Sequence, residues 1–150
     1  MLDETELHRL TEDIWSTVLN LDLRRLESGN VEPATDGFLT GAVHISGAWQ
    51  GVAAVSCSAR LARQVASIML GSEDPPAEFV NDAIGELANI TAGQVQSHLP
   101  TPSELSVPSV MTAPSCGLDL PQEAVLGRLY FECQGEFVSV IVAGNDGLPE

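Results

Sequence analysis

The 150-residue sequence contains no lysine, and its six basic residues are all arginine. A chain without lysine cannot supply a P-loop lysine, a Schiff-base lysine or a lysine general base. Against these six cations stand 21 acidic residues, which give a net charge of −15 and an isoelectric point of about 4.2. Because such a surface repels phosphate groups, the composition argues against binding of nucleic acid or of an anionic membrane.

Cysteine and histidine are also scarce, with three residues of each type. The cysteines contain no Cys-x-x-Cys pair, so we expect neither a thiolate zinc site nor a redox pair. The histidines have no metal-ligand spacing, and we expect no metal site from them. These residues are Cys57, Cys116, Cys133, His8, His44 and His98.

Long apolar runs are missing as well. No stretch of 18 apolar residues exists, so no membrane-spanning helix is predicted. The N-terminal stretch "MLDETELHRL" is acidic and lacks the apolar region of a signal peptide. We expect the three cysteines to be small apolar residues in a reducing compartment. Together with these absences, this predicts a cytoplasmic protein.

The order of the predicted elements indicates a single domain over residues 1–150, with 44% hydrophobic residues to form its core. Helices are predicted over the first 27 residues, over 59–70 between an N-cap at Ser58 and Gly71 just past the end, and over about 77–98. Strands are predicted within 38–47, 49–58, 103–113, 124–133 and 136–144. Loops are predicted at 28–37, 72–76 and the Gln134–Gly135 turn, and a frayed tail at 145–150. Because the order does not alternate as βαβ units, we expect an α+β fold, an antiparallel sheet with long helices packed on it.

The predicted long helix carries an unusual line of residues along one side. At about 100° per residue, Glu86, Asn89 and Gly93 fall within about 40° of Asp82. The opposite side is apolar and is predicted to face the core. It carries Val80, Ile84, Leu87 and Val95.

An ordinary solvated helix face is one interpretation of this line. The residue types favour a binding or catalytic site, because each of them weakens the helix. Asp82 and Glu86 are like charges four residues apart, and Asn89 is a weak helix former. Gly93 costs up to about 1 kcal/mol relative to Ala, but it lets the backbone of another molecule come close. An acid–base pair for glycoside hydrolysis is a weaker interpretation, since an exposed helix face has no cleft.

The stretch "DAIGELANITAG" resembles the Asp/Ser-x3-Glu-x2-Asn signature of the CheC/CheX/FliY phosphatases of bacterial chemotaxis. Asp82, Glu86 and Asn89 match its spacing, and "SELSVPSVMTA" resembles the strand that follows the helix in that family. With the element order and the length, the resemblance covers most of the chain. On the N-terminal helix, Glu12 is followed three residues later by Trp15 and not by Asn. A single signature resembles CheX more closely than CheC.

The resemblance implies a phosphatase that acts on the aspartyl phosphate of a CheY-like response regulator. By this resemblance, Asn89 of the present sequence would position the attacking water, and Glu86 would bind the regulator's active-site lysine. Asp82 would serve docking or favourable electrostatics near the helix N-terminus, since the family also accepts Ser at this position. Gly93 would allow close approach of the partner, by our own inference from its lack of a side chain. The Mg²⁺ ion would come with the regulator, so the protein would need no cofactor of its own. The resemblance also implies a homodimer joined through the sheets.

A second hypothesis keeps the fold without the chemistry. The chain would then be a non-catalytic module that binds a response regulator or belongs to a flagellar-switch-like assembly. The intact Glu86–Asn89 pair favours the phosphatase, because a scaffold has no need of it.

Overall fold

The computed structural model describes residues 2–27, 36–114, 116, 120 and 124–144. Most of the predicted loop 28–37 and all of the predicted tail 145–150 lie outside the described residues. The helices of the described chain are α1 Glu4–Ile14, α2 Ala59–Leu70 and α3 Ala77–Gln96, and a π-helical turn Trp15–Leu19 follows α1. The strands are β1 Arg24–Leu26, β2 Phe38–Gly47, β3 Gly51–Ser58, β4 Ser103–Leu105, β5 Ser109–Ala113, β6 Val125–Cys133 and β7 Glu136–Gly144.

The strands form one antiparallel sheet in the order β1-β6-β7-β3-β2-β4, with β5 also paired to β2. Two hairpins, β2–β3 and β6–β7, are joined side by side through β3 and β7. The second hairpin turns at Gln134 and Gly135, whose φ angles of +52° and +83° suit a tight hairpin turn. The helices bury their apolar sides against the sheet in one continuous core. This architecture confirms the predicted α+β fold.

Helix α2 begins and ends as the sequence predicts. The Ser58 hydroxyl accepts a hydrogen bond from the Leu61 N–H, which caps the first turn. Gly71 ends the helix in the left-handed region at φ +67°. Within the described part of the chain, no helix is both long and apolar enough to cross a membrane.

The prediction of one helix through the first 27 residues is wrong after residue 19. The π-helical turn rotates the apolar face, so that Val18 is exposed, and Asn20 stops the helix at φ +56°. The chain then pairs as β1 with β6, and Arg24 forms a 2.8 Å ion pair with Glu132 across the two strands. The leucine spacing does not separate these outcomes, because strand pairing of Arg24 and Arg25 depends on a partner far away in the sequence.

The predicted strand within 103–113 is two short strands. Between β4 and β5 stands Pro108, which has no N–H to donate to a sheet ladder. Both pieces pair with β2. The break produces a short loop, residues 106–108, beside α3.

Helix α3 packs on β2 at a position where a side chain is missing. A Cβ atom on Gly41 would lie 2.8 Å from the Ile84 carbonyl oxygen and 3.0 Å from the Ala88 Cβ. The backbone of the helix therefore comes close to the sheet only because residue 41 is glycine. This contact sets the depth and the rotation of α3.

We predict that Gly41→Ala lowers the free energy of unfolding by about 1–3 kcal/mol, because the added methyl overlaps helix backbone that cannot move aside. Gly85→Ala is the matched control, because Gly85 lies on α3, the helix that packs on Gly41. Its Cβ would meet Pro108 and Val110 side-chain atoms at 3.5 Å, an ordinary contact. Urea unfolding of both variants measures the effect, and an unchanged Gly41→Ala midpoint would contradict the close packing.

A second prediction concerns the ion pair that joins β1 to α1. Arg25 donates from Nε and Nη2 to the two Glu12 carboxylate oxygens at 2.7 Å each, and this hydrogen bonding holds the pKa of Glu12 below its ordinary value. The pair therefore stabilises the fold above the ordinary pKa of Glu12, and this stability is lost as the pH falls through the lower, folded pKa. We expect Glu12→Gln to lower the urea midpoint at neutral pH and to match wild type in acid. A difference that persisted in acid would point to packing instead.

Candidate functional site

Helix α3 positions the polar line that the sequence predicts as a site. The Phe79 and Val80 N–H groups donate to the Pro76 carbonyl and start the helix after the Pro75–Pro76 break. One side of the helix is buried, and the rotation of α3 is fixed by this side. The buried residues are Val80, Ala83, Ile84, Gly85, Leu87, Ala88, Thr91, Ala92 and Val95.

The structure places the four candidate residues on the other side of α3. Asp82 and Glu86 are exposed, and Asn89 and Gly93 are half-buried. Across the described residues, no hydrogen bond or ion pair engages the side chains of Asp82, Glu86 or Asn89. The described part of the chain therefore leaves the hydrogen-bonding groups of these three side chains unused.

The charge along this side of the chain is negative. Helix α3 carries the carboxylates Glu78, Asp82 and Glu86 and no arginine. Among the described residues, four of the six arginines form ion pairs with carboxylates outside α3, namely Arg9, Arg24, Arg25 and Arg63. An exposed row of uncompensated carboxylates attracts a partner that brings its own cation.

Gly93 is not required for packing among the described residues. A Cβ atom added there would meet nothing within 4 Å, in contrast to Gly41. Its backbone is helical, so no left-handed conformation demands glycine either. The packing of the described residues therefore does not explain why a glycine stands in the middle of the helix.

The residues of the polar line do not line the cavity located among the described residues. A cavity of about 370 Å³ lies on the other face of the sheet, lined by His44, Val52 and Ala143 among others. His44, Val52 and Ala143 are paired across β2, β3 and β7. Because His44 is an odd number of residues from Gly41, its side chain lies on the sheet face opposite to the one that Gly41 presents to α3. The line on α3 thus lies apart from this cavity, on the helix side where Asp82 and Glu86 are exposed.

Helix α1 repeats part of the packing arrangement of α3. Helix α1 lies over β6, where Leu7 fills the space at Gly127, as α3 lies over β2 at Gly41. The buried Thr11 hydroxyl donates to the Leu7 carbonyl at 2.7 Å, and the buried Thr91 hydroxyl donates to the Leu87 carbonyl at 2.8 Å. These equivalences align "ELHRLT" (6–11) with "ELANIT" (86–91).

Glu6 and Arg9, and not Glu12 and Trp15, therefore correspond to Glu86 and Asn89. Arg9 donates to the Glu6 carboxylate and holds the pKa of Glu6 below its ordinary value. The position on α1 that corresponds to Asn89 is thus occupied by Arg9, whose guanidinium group is paired with Glu6 of the same helix. The short repeat was a readable signal in the sequence, but only the matched threonine hydrogen bonds fix its register.

Comparisons with known proteins agree with this description. A family model described as "Chemotaxis phosphatase CheX" matches residues 39–132. CheX from Vibrio vulnificus is similar in structure, with 17% identity, a TM-score of 0.72 and 93% of each chain covered. CheX from Desulfovibrio desulfuricans has 19% identity and a TM-score of 0.71, covering 93% of this chain and 96% of that chain.

A third similar structure is the CheX-CheY-BeF3-Mg+2 complex from Borrelia burgdorferi. It has 16% identity and a TM-score of 0.67, and the match covers 95% of this chain and 98% of that chain. At these identities the likeness shows a shared fold. No curated protein matches the sequence significantly.

We predict that Gly93→Ala raises the free energy of unfolding by about 0.5–1 kcal/mol, because alanine fits the open space and favours the helix. Gly71→Ala is the matched control. It also has open space around it, but its φ of +67° makes alanine unfavourable, and we expect destabilisation by about 1 kcal/mol. Thermal or urea unfolding tests both, and a destabilised Gly93→Ala would reveal an internal role for this glycine.

Proposed function

The chain belongs to the CheX family of chemotaxis phosphatases, and on that premise we propose that it hydrolyses the aspartyl phosphate of a CheY-like response regulator. The observation that carries the proposal is the Glu86–Asn89 pair on the outer side of α3. Glu86 is exposed, Asn89 is half-buried, and no described residue of the chain engages either side chain. The Borrelia burgdorferi complex of CheX with CheY, BeF3 and Mg+2 supports a partner of this kind.

Asn89 is proposed to orient the attacking water. Its carboxamide both donates and accepts hydrogen bonds, so it can hold a water in line with the phosphorus atom. The water oxygen forms a bond to phosphorus while the bond to the aspartyl oxygen breaks, which yields inorganic phosphate and the free carboxylate. Because the transition state is metaphosphate-like, positioning of the water suffices and no strong base is needed.

Glu86 is proposed to bind the lysine of the regulator's active site. It stands three residues before Asn89, about 4.5 Å along the helix axis, so both side chains can enter one cleft. The absence of any cation on α3 leaves this carboxylate free for a partner's ammonium group. A charge pair that loses water on docking fixes orientation and adds specificity.

Asp82 and Gly93 are proposed to serve docking at the two ends of the line. Asp82 extends the negative row by one turn toward the helix N-terminus. Gly93 leaves room for the partner's backbone, which accounts for a glycine that the fold itself does not use. Gly93→Ala would then weaken docking although it stabilises the chain.

The partner is proposed to supply Mg²⁺, which neutralises phosphoryl charge when bound. The cytoplasmic location and the homodimer joined through the sheets stay predictions, in keeping with a phosphatase of intracellular signalling.

The test is phosphate release from Mg²⁺-bound, phosphorylated CheY-like regulators of the same genome. We expect wild type to accelerate release and Asn89→Ala to lose about 100-fold in turnover with little change in affinity, because water positioning is lost. Glu86→Ala should mainly weaken binding, since it leaves the regulator's lysine unpaired. Gln94→Ala is the matched control, because it removes an exposed amide from the same helix outside the line.

Circular dichroism should show the same helix content in every variant. Equal turnover of wild type and Asn89→Ala would contradict the proposed role of Asn89. Tight binding of a regulator with no acceleration by wild type would favour the non-catalytic scaffold.

A further inference from the structure

Two exposed apolar side chains flank the polar line. Phe79 lies one turn before Asp82, about 60° around the helix from it. Its side chain is 45% exposed, although phenylalanine is usually buried and Val80, its neighbour in sequence, is in the core. An aromatic ring therefore stands at the N-terminal end of the line without a role in the core.

Val107 stands on the other flank, in the loop between β4 and β5. The next residue, Pro108, contacts α3 at Gly85, where its Cγ lies 3.5 Å from the position of a Cβ. Gly85 is about 60° from Asp82 in the direction opposite to Phe79. Val107 is 87% exposed, the largest exposure among the exposed large hydrophobic residues of the described chain.

The loop that carries Val107 is held in place. The Ser106 hydroxyl accepts a hydrogen bond from the His44 N–H at 2.9 Å, and the Ser106 N–H donates to the His44 carbonyl at 2.9 Å. With Pro108 packed on α3, the loop is fixed on both sides of Val107. The valine is therefore presented to solvent by an ordered backbone, at the border of the candidate site.

We propose that Phe79 and Val107 are apolar docking contacts for the phosphorylated response regulator, one on each side of the line Asp82–Glu86–Asn89. This inference rests on the proposed function and names contacts by which the same site would select its partner. The regulator would present a cation to Glu86 and apolar side chains on both sides of its phosphorylated cleft. Aromatic side chains that become buried on binding often carry a large part of the binding energy of a protein interface.

Charge decides among the possible occupants of this surface. An anionic membrane is disfavoured because Glu78, Asp82 and Glu86 lie between the two apolar contacts. A second copy of the chain is disfavoured because a two-fold contact would bring the same carboxylates together. A partner with a cation in a cleft satisfies both the carboxylates and the apolar flanks.

The role of these contacts is positioning, so their removal should act on binding and not on the chemical step. We expect Phe79→Ala to raise KM about tenfold and Val107→Ser about threefold, with kcat nearly unchanged. Asn89→Ala should show the opposite pattern, with loss of kcat. Met111→Ala is the matched control, because Met111 is 46% exposed and pairs with Thr40, on the sheet face away from α3. It should leave both constants unchanged.

The experiment measures phosphate release and, separately, affinity for the same regulator loaded with BeF3⁻ and Mg²⁺. If wild type releases phosphate and Phe79→Ala and Val107→Ser behave as Met111→Ala does, the docking inference is overturned and the phosphatase stands. If wild type releases none, the phosphatase fails, and loss of affinity in the two variants but not in the control still supports the docking surface. If sedimentation shows that the variants lose self-association at unchanged KM, a second copy is the occupant and the inference is overturned.

Discussion

The close contact between α3 and Gly41 of β2 is the constraint on which the functional surface depends. The missing side chain lets the Ile84 backbone approach the sheet, and it thereby fixes which residues of α3 are buried. Once this rotation is set, Asp82, Glu86 and Asn89 have no partner among the described residues and face outward. The packing on the buried side of α3 thus determines which of its side chains face outward. The proposed phosphatase needs no cleft of its own, because it provides a projecting edge for the cleft of another protein.

The two helices that lie over the sheet show how fold and chemistry separate. Thr11 and Thr91 form the same buried hydrogen bond to a leucine carbonyl, and both helices press on a strand glycine. The outward residues differ, since Arg9 pairs with Glu6 whereas no described residue pairs with Glu86. Core packing constrains the inner residues of both helices alike. The outer residues affect stability little, so they are free to differ.

The sequence predicts what local chemistry decides. The Ser58 cap, the Gln134–Gly135 turn and the apolar side of α3 follow from short-range preferences, and the structure has them where the sequence predicts them. The end of α1 was missed because Arg24–Leu26 become a strand only through pairing with β6. The exposure of Phe79 was also beyond sequence patterns, because Phe79 lies at the border of the apolar side. The line of Asp82, Glu86, Asn89 and Gly93 was visible as a set of unfavourable helix residues, but its function rests on the family and not on the pattern.

The side-by-side joining of the two hairpins has a consequence for how the chain reaches this structure. Each hairpin closes through a short turn, but the pairing of β3 with β7, from Gly51↔Gly144 to Cys57↔Val138, joins strands that are distant in the sequence. The largest entropic cost of loop closure is therefore that of pairing β3 with β7. A chain with many such non-local pairs folds slowly for its size. Helix α3 lies between the hairpins in the sequence and packs on β2 and β3. The helix that carries the site is thus also the element that can cover the first hairpin before the second arrives.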